Sequence, residues 1–215
     1  MSAAPRLRVV TRAAGAAILV ALLSACASNL AGNALSAGTR TVSDSDLAAI
    51  VTELRDQLAP LNQETPFNQG AVTASNVDRL MRSVLLEEAA RREGIVVTQG
   101  EVDTVIRETA QGNFDGDMVA LETQLAEQQS IPASQVSDFA RDFLLQQKLG
   151  QKLKPGGTPE EVSAALVTYL SALSTDIGAE VAPRFGTWDA SSVSLSPVPD
   201  DLSGLPVEAA PAAIQ

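Results

Sequence analysis

The chain has 215 residues, 15 basic and 26 acidic, with no histidine, one cysteine and a formal net charge of −11. The absence of histidine removes Ser-His-Asp hydrolysis and His-ligated metal sites, and a lone cysteine removes internal disulfides and cysteine metal clusters. An acidic surface of this size repels nucleic acid and anionic headgroups, so neither is an expected partner.

Arg6, Arg8 and Arg12 make a basic start, and Ala13 to Leu23 is an uncharged apolar run. It falls short of the about 20 helical residues a bilayer span needs, which favours a cleaved signal over an anchor. The run ends in Leu23-Ser24-Ala25-Cys26, which resembles a bacterial lipobox. That resemblance implies a signal peptide over residues 1–25, cleavage before Cys26, and a diacylglycerol thioether with added acyl chains, such as palmitate, on the new N-terminus. The expected product is a lipoprotein on the extracytoplasmic face of a bacterial cell membrane. An ordinary signal peptide is the other reading of the same stretch. Once alkylated, Cys26 is also removed as a nucleophile. Without the three leader arginines, 12 basic and 26 acidic residues remain, a net charge of −14. Membrane attachment is then by covalent lipid and not by a basic patch. Residues 27–42, ASNLAGNALSAGTRTV, have no helical period, and their first part reads as a flexible tether.

Asp44 to Leu58 reads as the first helix, capped by Ser43 or Asp44, with Leu47, Ile50, Val51, Leu54 and Leu58 as its apolar stripe. Pro60 and Pro66 punctuate a polar loop that is expected to run to Ala74. Asn76 then opens a central helix, with Ser75 as its N-cap and Asp78 as the acid of its first turn. Val77, Leu80, Met81, Val84 and Leu85 form its buried stripe. Gly94 stands where the helix needs a residue at positive φ, and Ile95 supplies the apolar contact of a Schellman stop. Thr98 and Glu101 make a capping box for the next helix, which carries Val102, Val105, Ile106 and Thr109 at helical spacing.

The phrase LLEEAARREGI followed by VVTQGEVD resembles the N-terminal domain of the SurA and PrsA class of extracytoplasmic chaperones. Gly94, Ile95, Thr98 and Glu101 carry that likeness as structural residues, not catalytic ones. Any helical hairpin with a good glycine stop would share part of it. The resemblance also implies a short strand in Ala34–Val42, ahead of the first helix.

Downstream, Gly112 to Gly116 reads as a breaker cluster. Asp115 and Asp117 lack the alternating ligands and closing Glu of a calcium loop, so acids at a helix start are the better account. A fourth helix follows from Asp117 to Gln129, with Met118, Leu121 and Leu125 facing in. Ser130 to Ser134 breaks the chain. A fifth helix then runs to about Leu153 with Val136, Phe139, Phe143, Leu144, Leu149 and Leu153 as its apolar set. Its terminal lysines, Lys148, Lys152 and Lys154, complement its dipole. Thr158 and Glu161 form a second capping box with Pro159 at the first helical position. The sixth helix, from 159 to about 177, carries Val162, Ala165, Leu166, Tyr169, Leu170, Leu173 and Ile177. The phrase Pro183-Arg184-Phe185-Gly186-Thr187-Trp188-Asp189 resembles the one with which members of the same family leave the domain as a short strand. Phe185 and Trp188 are expected to pack on the helices, and Gly186 to permit a bend. Residues 190–215, with Pro197, Pro199, Pro206 and Pro211, are expected to be a disordered tail.

The fold expected is therefore all-α. About six amphipathic helices over residues 43–189 form an open, cradle-like bundle, with short N- and C-terminal strands meeting at one edge. In the wider family a parvulin-type prolyl isomerase domain, with paired histidines, stands between helical segment and closing strand. Here the Lys154–Thr158 turn alone occupies that place. No catalytic residue, metal ligand or cofactor is expected. The resemblance implies a holdase whose partners are unfolded client polypeptides, with Leu86, Phe114 and Met118 as candidate contacts. The alternative is an adaptor for a single cell-envelope protein.

Overall fold

A computed structural model describes residues 30–61 and 67–198. The leader with Cys26, a short piece of the loop after Pro60, and the residues from Pro199 onward lie outside the described residues.

The described chain enters as a hairpin, β1 (Asn33–Ala37) and β2 (Arg40–Ser43), and continues without a break into α1 (Asp44–Leu58). Two strands replace the one expected across Ala34–Val42, because Gly38 takes a φ of +60° and turns the chain so that Ala37 faces Arg40. The Ser43 hydroxyl caps α1 by accepting from the Asp46 N–H at 3.1 Å. The stripe Leu47, Ile50, Val51, Leu54 and Leu58 is buried, as its spacing predicts.

The hub is α2 (Gln69–Glu93), which packs on β1, on α1, and on the later helices α5 (Val136–Leu153) and α6 (Pro159–Asp176). It begins well before Asn76. The Asn68 side chain, not Ser75, supplies the cap by accepting from the Ala71 N–H at 3.0 Å. The early start is held by tertiary contacts that outweigh the helix penalty of Gly70. Val72 packs on the core, and the buried Asn76 amide donates to the carbonyls of Val72 and Ser130 at 3.0 and 3.1 Å. Asp78 is thus not a first-turn acid. Its carboxylate pairs with Arg82 one turn on and accepts from the Leu195 N–H.

Gly94 ends α2 at φ +65°, and the Ile95 N–H donates back to the Ala90 carbonyl at 2.8 Å, which is the Schellman stop expected. Next comes α3 (Gln99–Phe114), opened by the Thr98–Glu101 capping box with both reciprocal bonds present. The turn between α2 and α3 is clamped by α5. Arg141 donates to the Val97 carbonyl at 3.2 Å, Lys148 to Val96 at 2.8 Å, and Lys152 to Glu93. Lys152 therefore serves an orphan carbonyl at the end of another helix and Lys148 a carbonyl of the turn that follows, beyond any effect on their own dipole. Helix α3 runs through Gly112 and Asn113 and reverses only at Asp115 and Gly116, with φ of +52° and +85°.

Asp117 caps α4 (Met118–Gln129), its carboxylate accepting from the N–H groups of Val119 and Ala120 at 2.9 and 3.1 Å. A 3₁₀ turn at Ala133–Gln135 leads into α5, and the second capping box, with Pro159 at the first position, opens α6.

The chain then returns to its start. Strand β3 (Glu180–Val181) pairs antiparallel with β1, Leu35 facing Val181, to give the sheet order β2-β1-β3. The terminal strands meet at one edge, as expected. Arg184 locks the junction: its guanidinium donates to the Asn33 carbonyl at 3.1 Å, pairs with Asp44, and stacks 4.7 Å from the Phe185 ring centre. Trp188 packs on the helices and its indole N–H donates to the buried Ser174 hydroxyl at 2.8 Å. Gly186 sits at φ +134°, and a Cβ there would stand 2.4 Å from the Ser196 carbonyl oxygen. Strands β4 (Thr187–Asp189) and β5 (Ser194–Ser196) form a hairpin. The tail expected from residue 190 is thus ordered as far as Val198, because backbone pairing with β4 and burial of Val193 offset the cost of fixing it.

Candidate functional site

Most of the apolar surface of α1, α2, α5 and α6 closes into one core around Leu35, Val77, Met81, Leu85 and Leu149. A second, smaller cluster lies where α3, α4 and α5 meet. Ala110, Leu121, Leu125, Ile131 and Val136 are buried there, with Ile106, Phe114 and Phe139 partly covered. This second cluster does not close over itself. It leaves a hollow of about 150 Å³ walled by Val105, Ile106 and Thr109 from α3, Leu121 and Leu125 from α4, and Phe139 and Phe143 from α5.

The lining is apolar almost throughout. Its hydroxyl, on Thr109, donates to the Val105 carbonyl at 2.7 Å, so the residue turns its methyl to the hollow without an unmet donor. Phe143 stands at the lip, 51 % exposed. Ile106 continues the surface into a wider hollow between α3 and α4, about 400 Å³, which Met118 and Ala110 also line. Met118 is 37 % exposed and does not face inward as the sequence expects; Val119 beside it is more open still. An apolar hollow of this kind binds by removing apolar surface from water and does no proton chemistry.

Of the three candidate contacts read from the sequence, Phe114 and Met118 lie at this α3–α4 corner. Leu86 does not. It is 6 % exposed within the main core, because its face of α2 is covered, and it offers nothing to a client. The sequence reading assigned Phe139 and Phe143 to a core stripe. Both instead line the hollow, and spacing alone does not separate the two outcomes because α5 is packed by α2, α3 and α6 on different sides, so its periodicity marks no single face. The spacing of two phenylalanines one turn apart was the available signal.

Behind the hollow, α5 meets α2 through a polar network. Asp142 is buried, accepts from the Ser83 hydroxyl at 3.0 Å, and has its carboxyl pushed up to about 6 by burial. Arg79 donates to Asn76 Oδ1 at 3.1 Å and Gln135 Oε1 at 3.4 Å, while its buried Nε has no hydrogen-bond partner. Burial lowers the guanidinium pKa, and the fields of Asp142 and Asp138 oppose that. The other shifted carboxylates are held low by neighbours: Glu88 to about 2 by Arg91 and Arg92, Glu101 to about 2 by Lys148 and Thr98, Asp189 to about 2 by Ser191 and Ser192, and Glu93 below its usual range by Lys152 and Tyr169. These are structural pairings, and none of these acids lines the α3–α4–α5 hollow. Among the described residues no group of three His, Cys, Asp or Glu is placed to hold a metal ion, and no helix is long and apolar enough to cross a membrane.

No curated protein and no solved structure matches the chain. The family model described as the SurA-like N-terminal domain matches residues 9–149, a stretch that contains both phrases around Gly94 and all of α1 to α4. It also contains most of α5, and with it all three walls of the hollow. The SurA N-terminal domain is a non-catalytic domain of chaperone type. On that match, over well more than half of its length, the chain belongs to the SurA-like N-terminal domain family.

Proposed function

We propose that the protein is a holdase, anchored through lipid on Cys26 to the extracytoplasmic face of a bacterial membrane, which binds unfolded polypeptides without catalysis. The observation that carries this reading is the unclosed apolar hollow with Phe143 half-exposed at its lip, on a chain whose net charge without the leader arginines is −14 (12 basic, 26 acidic). Exposed apolar surface captures a client, and the surrounding charge keeps the complex soluble. Family membership supports the same reading. Prolyl isomerisation asks for more: a barrier of about 18–20 kcal/mol in the twisted amide must be lowered by placed polar groups, and the hollow presents none.

The test is light scattering from an unfolded, aggregation-prone protein with the purified chain at near-stoichiometric amounts. Wild type should suppress scattering, Phe143→Asp should lose most of that effect, and the proline-limited phase of refolding should keep its uncatalysed rate. Because Phe143 is half-exposed, the variant should retain its thermal midpoint. Equal suppression by Phe143→Asp would remove the hollow from the mechanism. No suppression by wild type with any client would favour an adaptor for one envelope protein.

A further inference from the structure

The helices that wall the α3–α4–α5 hollow carry acids beside its apolar lining. Asp103 and Arg107 line the wider hollow next to Ile106, and Asp115 and Asp117 bracket Gly116 at its edge. Glu108 precedes Thr109 of the inner lining, and Asp138 precedes Phe139. All of these acids are exposed, and among the described residues none of them is ion-paired. The cations of the same helices are mostly committed elsewhere. Lys148 and Lys152 pair with Glu101 and Glu93, and Arg141 donates to the Val97 carbonyl and to Gln99 Oε1. That leaves Arg107, which donates to the Thr104 hydroxyl, as the exposed counter-charge among the described residues of these helices.

We propose that the hollow takes polypeptide segments in which one leucine-sized side chain stands among lysines or arginines. This rests on the hollow being the client site, and it adds which clients enter. The inner hollow, about 150 Å³ and lined by Leu, Ile, Val and Phe side chains, has the size at which an apolar cavity holds a single benzene-sized molecule. It therefore seats one bulky apolar side chain and no more. Three residues of extended chain span about 10 Å, so the near neighbours of a seated residue lie within one Debye length of it at 0.1 M salt. Their charge is felt by the acids on the walls. An acidic segment meets Asp103, Glu108, Asp115, Asp117 and Asp138 as like charges with Arg107 as the single offset, whereas a basic segment is drawn in. Selection works as much by repelling acidic segments as by holding basic ones.

The experiment is fluorescence anisotropy of short labelled peptides with the purified full chain. One peptide places a single leucine among lysines, a second places it among glutamates, and a third keeps the lysines but has serine for the leucine. The lysine–leucine peptide should bind about tenfold more tightly than the glutamate–leucine peptide, and the ratio should shrink as salt rises toward about 1 M. Exchange of its leucine for serine, or Phe143→Ser in the protein, should weaken binding about tenfold. Asp103→Lys combined with Glu108→Lys, both at exposed positions, should erase the preference for lysine. The three peptides decide the matter on the wild type even where a variant folds poorly. Equal binding of the lysine and glutamate peptides would overturn the inference. A lysine peptide indifferent to both its leucine and Phe143→Ser would also overturn it, by assigning the affinity to acidic surface alone. Light scattering reads holding separately: suppression of aggregation without any peptide preference sinks this inference and leaves the holdase reading standing, and preference without suppression does the reverse.

Discussion

The Lys148 ammonium stands 2.6 Å from Glu101 Oε1, joining α5 to the first turn of α3 across 47 residues of sequence. Glu101 Oε2 meanwhile accepts from the Thr98 N–H at 2.8 Å, so a single carboxylate completes a capping box and docks the capped helix. Lys148 adds a bond to the Val96 carbonyl. The start of α3 is therefore fixed against α5, and farther along the same pair of helices Val105 and Phe143 line the apolar hollow.

Gly94 and Gly186 both occupy positive φ, but they should respond differently to a side chain. Nothing lies within 4 Å of a Cβ built at Gly94, so Gly94→Val should cost backbone strain alone, about 1–3 kcal/mol. At Gly186 a Cβ meets the Ser196 carbonyl oxygen at 2.4 Å, and even Gly186→Ala must part β4 from β5. Urea titration should show the larger loss for Gly186→Ala, with the Trp188 emission shifted as its contact with Ser174 loosens. A milder effect at Gly186 than at Gly94 would contradict the hairpin packing.

The carboxyl of Asp142 is raised by burial, with Glu87 and Asp138 adding to the effect and Ser83 and Arg79 opposing it. A carboxyl whose folded pKa lies above its unfolded value favours folding more when protonated. Stability should therefore rise as pH falls from about 7 through about 6 toward the unfolded value near 4. Below that, the acids held at about 2 (Glu88, Glu101 and Asp189) dominate with the opposite sign, and stability should fall as they protonate. Urea midpoints against pH should thus peak at about pH 5. Asp142→Asn should raise stability at neutral pH by about 1–3 kcal/mol and remove most of the rise on the neutral side of the peak. A monotonic fall from neutral pH in the wild type would refute the assignment to Asp142.

Cys26→Ser should abolish the thioether on which membrane attachment is proposed to depend. In detergent phase partition the wild type should enter the detergent phase and the variant the aqueous phase. Detergent partition of the variant equal to wild type would leave the lipobox reading without support.

The helical body was legible wherever a local signal and the tertiary fold agree. The α1 stripe, the Gly94 stop and the two threonine capping boxes needed only spacing and backbone chemistry. What escaped depended on partners distant in sequence. Asn68 reads as a loop residue until Asn76 is seen bonded to Ser130, 54 residues away, which holds the first turns of α2 in place. Residues 194–196 read as tail until β4 pairs with them and Asp78 accepts from Leu195. Phe143 carried the spacing of a core residue, and only the unclosed hollow between α3, α4 and α5 shows why it stands half in solvent.

The early start of β1 sets a length scale. Asn33 is held by Arg184, and seven residue steps separate it from the proposed anchor at Cys26, a reach of at most about 25 Å. On such a short leash the edge built from β1 and Arg184 would stay within about one small-domain diameter of the bilayer surface. Capture would then be confined to a thin layer beside the membrane, where a chain emerging from it is met at high local concentration while one already in the bulk is out of reach.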